Sequence, residues 1–118
     1  MTDISKTAMR AYQAWPLLVW AAKHRQILTY KDLYELTGLA KPGVGGSALG
    51  PILWYCKAKK YPMLTAIVVN SGTWLPGDGL GEKPEKVPGI QKKVFQHDWT
   101  QAEPPTPEEL ERYKKGAE

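Results

Sequence analysis

The stretch ILTYKDLYELTGLAKPGVGGSALGPILWYCKAKKYPMLTAIVVNSGTWLPGDG, residues 27–79, decides the reading of the fold. Thr29 followed by Asp32 has the spacing of a capping box, with Asp in place of the usual Glu, and Gly38 supplies a left-handed stop. A short helix is expected between them, with Leu33 and Leu36 pointing inward and Tyr30 and Lys31 at the exposed N-terminal end. Leu39 to Gly46 is a Gly-rich turn. Beyond it, Leu49, Ile52, Leu53 and Cys56 fall at i, i+3, i+4 and i+7, one stripe of a second helix. Gly50-Pro51 lies inside that stripe, so this helix either starts at Pro51 or bends there. Lys57, Lys59 and Lys60 at its far end complement the helix dipole. Thr65 to Val69 is β-branched apart from Ala66 and reads as a buried strand. Asn70-Ser71-Gly72 is a turn, Thr73-Trp74-Leu75 a returning strand, and Pro76-Gly77-Asp78-Gly79 a loop at the tip of a wing.

Upstream, a further helix is predicted over roughly Lys6 to Gln26. Met9, Tyr12, Leu17, Trp20 and Ala21 describe its apolar face. Pro16 either kinks it or begins its main part. The expected architecture is therefore α+β: a winged helix-turn-helix of three helices and a small β-hairpin wing, with a C-terminal extension. The winged-helix domain covers residues 1–80. Residues 81–118 form the extension, a Pro/Gly-rich connector followed by a polar helix. Val94, Phe95 and Trp99 pin one element of it to the domain. Thr106-Pro107-Glu108-Glu109 starts the final helix with an N-cap, a Pro at the first position and a capping-box Glu. That helix is polar almost all round, and a loose attachment is expected.

The charge is uneven. Residues 1–60 carry nine Lys/Arg against three Asp/Glu, a net of +6, whereas residues 61–118 carry seven against nine, a net of −2. The half with the helix-turn-helix pattern is the basic half, as a phosphate-facing surface requires. The single cysteine excludes an internal disulfide and fits a reducing, cytoplasmic setting. The most apolar segment, Ala14 to Ala22, is too short to span a bilayer, so no membrane partner is expected.

Ile27 to Gly38, Val44-Gly45-Gly46-Ser47-Ala48-Leu49, Pro62, Val68-Val69-Asn70, Gly72 and Leu75-Pro76-Gly77 together resemble the C-terminal winged-helix domain of the O6-alkylguanine-DNA alkyltransferases. The non-catalytic alkyltransferase-like proteins share that domain. The resemblance covers about the middle half of the chain. It implies a DNA-binding fold, with damage recognition or regulation as the family's role. The family's reactive run is Pro-Cys-His-Arg, and the corresponding run here is Pro62-Met63-Leu64-Thr65. Alkyl transfer by a thiolate activated through a histidine is therefore not expected. The arginine that the family inserts into the base stack is replaced by Pro42, with Lys41 beside it.

No other chemistry assembles from the sequence. One cysteine and two distant histidines, His24 and His97, do not make a zinc site. Gly43-Val44-Gly45-Gly46 has no preceding strand and no closing Gly-Lys-Ser/Thr, so it reads as a turn and not a phosphate loop. A protein without catalytic activity, metal or cofactor is expected. Its partner is expected to be double-stranded DNA, bound with weak sequence specificity. Tyr30 and Lys31 would contact phosphates. Lys41, Gly43, Gly45, Gly46 and Ser47 would form the start of the recognition helix. Asn70 would hold the wing turn, and Trp74 would rest on sugar or phosphate, or else pack on the connector. The alternative is a small protein-interaction module, a regulator or inhibitor on the same scaffold. Its basis is the high aromatic count and the absence of arginine from residues 27–79, since arginine is the residue most used to read guanine.

Overall fold

The computed structural model describes residues 4–37, 44–76 and 82–113, with side chains in the third helix described from Leu49 onward. Among these residues the chain is mostly helical: five α-helices and a two-stranded sheet, an α+β arrangement. The helices are α1 (Lys6–Lys23), α2 (Tyr30–Thr37), α3 (Val44–Lys59), α4 (Val87–Gln96) and α5 (Pro107–Tyr113). The strands are β1 (Leu28–Thr29) and β2 (Val68–Val69).

Helix α1 begins at a Ser5 cap, whose hydroxyl accepts from the Ala8 amide at 3.1 Å. It runs unbroken through Pro16. Its buried side is a stripe of small residues, Ala8, Ala11, Ala14, Ala21 and Ala22, completed by Trp15 and Leu18. This corrects the expected face: Met9, Tyr12 and Trp20 lie on the outside, and Leu17 is half-buried. Alanines at the contact let the backbone of α1 approach its neighbours closely, so the small side chains and not the large ones face the core.

Helix α3 packs against α1, and α5 packs against both. Leu49, Ile52, Leu53 and Cys56 are all buried, as their spacing predicts, and Tyr55 is buried with them. α3 also continues through Pro51, so the helix does not start there. Contact with neighbours on several sides holds the helix where proline removes one backbone hydrogen bond. In α2, Leu33 is buried but Leu36 is 62% exposed, contrary to expectation. The helix has only eight residues, and it anchors itself through Leu33 with Tyr30 half-buried against the core.

The expected β-hairpin wing is not formed. The segment read as a strand from Thr65 starts as a 3-10 turn, Leu64–Ile67, and only Val68 and Val69 are extended. They pair in parallel with β1, Leu28 opposite Val68 and Thr29 opposite Val69. The ladder bonds of β2 go to a strand forty residues earlier in the chain and not to Thr73-Trp74-Leu75. Those three residues complete a closed turn. The Asn70 amide donates to the Leu75 carbonyl at 2.9 Å, and the Trp74 amide donates to the Asn70 carbonyl at 2.7 Å. Trp74 has a φ of 57°, left-handed backbone that no strand accommodates.

The residues after Glu82 share the core. α4 packs on the Leu64–Ile67 turn, and the Gln91 side chain donates to the Ala66 carbonyl at 2.9 Å. Trp99 is buried against Trp15 and donates its indole N–H to the Val94 carbonyl at 2.8 Å. The last helix is not loosely attached. Leu110 is fully buried in the same cluster as α1 and α3, and Glu111 accepts from the Ser5 amide at 2.7 Å. The predicted cap at its start is present: the Thr106 amide donates to Glu109 at 3.0 Å, and the Glu109 amide to Thr106 at 3.1 Å.

Candidate nucleic-acid interface

β1 turns directly into α2, and the junction is held by the reciprocal capping box read from the sequence. The Thr29 amide donates to the Asp32 carboxylate at 3.0 Å, and the Asp32 amide donates to the Thr29 hydroxyl at 3.0 Å. Parallel register places Thr29 beside Val69, so the chain leaves both strands at the same end of the sheet. On one side it enters α2 through Tyr30 and Lys31, and on the other it enters the Asn70 turn. Four of the expected contact residues, Tyr30, Lys31, Asn70 and Trp74, thereby follow the strands at the same end of the sheet. Lys31, Asn70 and Trp74 are exposed there, while Tyr30 is half-buried against the core.

The turn is built to hold its shape. The Asn70 side chain accepts from the Gly72 amide at 2.8 Å, as expected, and the Thr73 hydroxyl accepts from the Leu75 amide at 3.2 Å. A Cβ on Gly72 would stand 3.3 Å from the Asn70 side-chain oxygen, so this close approach suits glycine. Trp74 projects from the turn with 61% of its surface exposed. A bulky residue held in left-handed backbone costs about 1–3 kcal/mol and persists only where the surroundings determine it. It does not pack into the core.

Lys41 and Gly43 lie outside the described residues. Gly45, Gly46 and Ser47 lie in the first turns of α3, whose backbone is helical. The lysines at the other end of α3 are partly engaged. Lys57 lies over the Trp54 ring at 4.6 Å, and Lys59 pairs with Glu103 at 3.4 Å.

Cys56 is buried, and its thiol lies against the Leu64 backbone. Burial pushes the thiol up from its ordinary 9.0 to about 12, and the hydrogen bond with the Leu64 backbone opposes the shift. Burial also raises the Tyr55 phenol, with Glu109 adding to the effect. Both groups have folded-state values above their unfolded ones. Their neutral forms therefore favour the fold below the unfolded values, and that contribution is lost as pH rises. We expect the thiol to resist a disulfide reagent in the folded chain near its ordinary pKa and to react once urea unfolds it. We also expect chemical-denaturation stability to fall between pH 9.0 and about 12.

Among the described residues, no group of three or more His, Cys, Asp and Glu is placed to hold a metal ion, and no helix is long and apolar enough to cross a membrane. No family model, curated protein or solved structure matches the chain.

Proposed function

We propose that this chain is a non-enzymatic DNA-binding protein of winged helix-turn-helix type. In this reading it engages duplex DNA through the start of α2, the start of α3 and the Asn70–Leu75 turn, which takes the place of a hairpin wing. The observation that carries the reading is the parallel β1–β2 register, which brings Lys31 and Trp74 to the same end although 43 positions separate them. Lys31 would neutralise a phosphate, and Trp74 would lie on the sugar-phosphate edge. An alkyltransferase-like role in damage recognition or regulation belongs to the same proposal and rests on the sequence resemblance.

The test is a fluorescence-anisotropy titration of labelled duplex, with and without an O6-methylguanine, over a range of salt. Lys31→Ala should weaken binding equally for all sequences and lower the salt slope by about one. Trp74→Gly should weaken binding while leaving the melting temperature unchanged or higher, because glycine relieves the left-handed strain. Unchanged affinity in both variants removes the DNA reading.

The second reading, a protein-interaction module, rests on a different surface. It is favoured by the aromatic side chains that α1 turns away from the core.

A further inference from the structure

We propose that the C-terminal ends of α1, α3 and α4 together form a binding face for the phosphate backbone of a nucleic acid. This face uses none of the residues assigned above to the duplex interface. It lies at the far end of α3, about 20 Å along the helix from Gly45–Ser47 at 1.5 Å per residue. Ring contacts bring the helix ends together. The His97 ring, at the end of α4, stands 5.7 Å from Tyr61, the residue that follows Lys60 in the chain. Both rings meet Trp99, His97 at 4.6 Å and Tyr61 at 6.0 Å. Trp99 packs in turn on Trp15 of α1 at 6.0 Å. Asp98, next to it, is within electrostatic reach of Lys23 in the last turn of α1.

The three ends hold the surplus charge of the protein. Residues 23–26, 57–61 and 92–98 carry seven Lys/Arg and one acid, Asp98, while Glu103 reaches in to pair with Lys59. Five positive charges remain when both acids are subtracted, against a net of +4 for the whole chain. The Asp98 carboxylate is held below its usual range first by the Thr100 hydroxyl and amide, and then by His97 and Lys23. It answers part of the Lys23 charge and no more than that. Arg25, Lys60 and Lys93 are exposed and form no ion pair with any described residue.

Helix dipoles do not explain two of these cations. A lysine in the last turn answers a dipole, but Arg25 and Lys60 stand just beyond α1 and α3, in left-handed backbone at φ 57° and 61°. Each closes a Schellman motif. The Arg25 and Gln26 amides donate to the Ala22 and Ala21 carbonyls, and the Lys60 and Tyr61 amides donate to the Lys57 and Cys56 carbonyls. Glycine takes that position without steric cost, and the backbone bonds leave the two side chains no capping role. Two long cations kept at strained positions on one face point to a use for the charge itself. The rings that join the helix ends face inward, with Trp99 3% exposed and Tyr61 half-buried. Their junction therefore offers a partner charge on long stems and no aromatic anchor of the kind that protein interfaces seat. A phosphate chain needs only charge at intervals.

The test is the double variant Arg25→Gly with Lys60→Gly in the full chain, read by melting temperature and by titration of a labelled duplex over a range of salt. Glycine relieves the left-handed strain, so the melting temperature should rise by about 2–5 °C. Duplex affinity should nevertheless fall about tenfold or more near 50 mM salt, and the salt slope should drop by about two. The pair Lys6→Ala with Arg10→Ala removes the same charge from the other end of α1 and should change affinity less than twofold. If Lys31→Ala and Trp74→Gly leave duplex binding intact while the double glycine variant weakens it, this face stands and the interface at α2 falls. Parental affinity in the double glycine variant overturns the proposal, as does an equal loss in the Lys6 and Arg10 variant, which would make net charge the cause. Binding of poly-glutamate or phosphatidylserine vesicles as tight as that of duplex also overturns it, because the partner would then be of another class.

Discussion

Tyr55→Ala is expected to remove a large part of the stability of this protein. The side chain is fully buried in α3, and its hydroxyl donates to the Glu103 carbonyl at 2.8 Å. Its ring stands edge-on to Trp15 at 5.6 Å and packs against Tyr61 and Tyr113, each at 6.3 Å. Truncation removes a large apolar surface, leaves a cavity bounded by three helices and orphans a carbonyl. Aromatic-to-alanine changes in cores cost about 3–5 kcal/mol, against a total of about 5–15 kcal/mol for a domain. Urea denaturation of the variant should show a midpoint shifted far toward zero denaturant. Tyr55→Phe keeps the packing and loses one hydrogen bond, so it should cost about 1 kcal/mol. An alanine variant within 1 kcal/mol of the parent (roughly the cost of that bond) would mean that the aromatic cluster does not support the core.

Leu110→Ala should be nearly as damaging, at about 2–5 kcal/mol. α5 has seven residues, too few to be helical in isolation, so it owes its structure to what it packs against. Leu110 is its one fully buried side chain, set between α1 and α3. The discriminating measurement is whether far-UV and near-UV signals fall in a single urea transition at a lowered midpoint. If α5 were a detached tail, the substitution would shift the midpoint by less than about 0.5 kcal/mol.

The features legible in the sequence were those whose chemistry closes within a few residues. Thr29 and Asp32, Thr106 and Glu109, and Asn70 with Gly72 each form the hydrogen bonds that their spacing implies. The α3 stripe was legible because leucine, isoleucine and cysteine all lie on it. The facing of α1 was not, because large apolar residues occur all round that helix. The decisive signal was the run of alanines at Ala8, Ala11 and Ala14, whose value lies in close backbone approach and not in hydrophobicity. The wing was misread for a different reason. Val68 and Val69 have the composition of a strand, but nothing local says which partner they take, and tertiary pairing with Leu28 and Thr29 won over the nearer hairpin. Leu110 was hidden among charged neighbours, and one buried leucine in a polar helix leaves little periodic trace. Of the candidate interface, the residues were legible one by one. Their gathering at one end followed from a register that no short stretch encodes.

The same topology bears on synthesis. β1 cannot be satisfied until β2 has been made, and the alanine face of α1, which α3 covers first, is completed only when Leu110 has followed it. Contacts of this separation are slow to close, and a nascent chain makes them last. On the ribosome, the early helices must therefore wait as incomplete, apolar intermediates until the segment carrying Leu110 has emerged. Folding of this region waits on its last helix, and the earlier helices depend until then on being shielded from other chains.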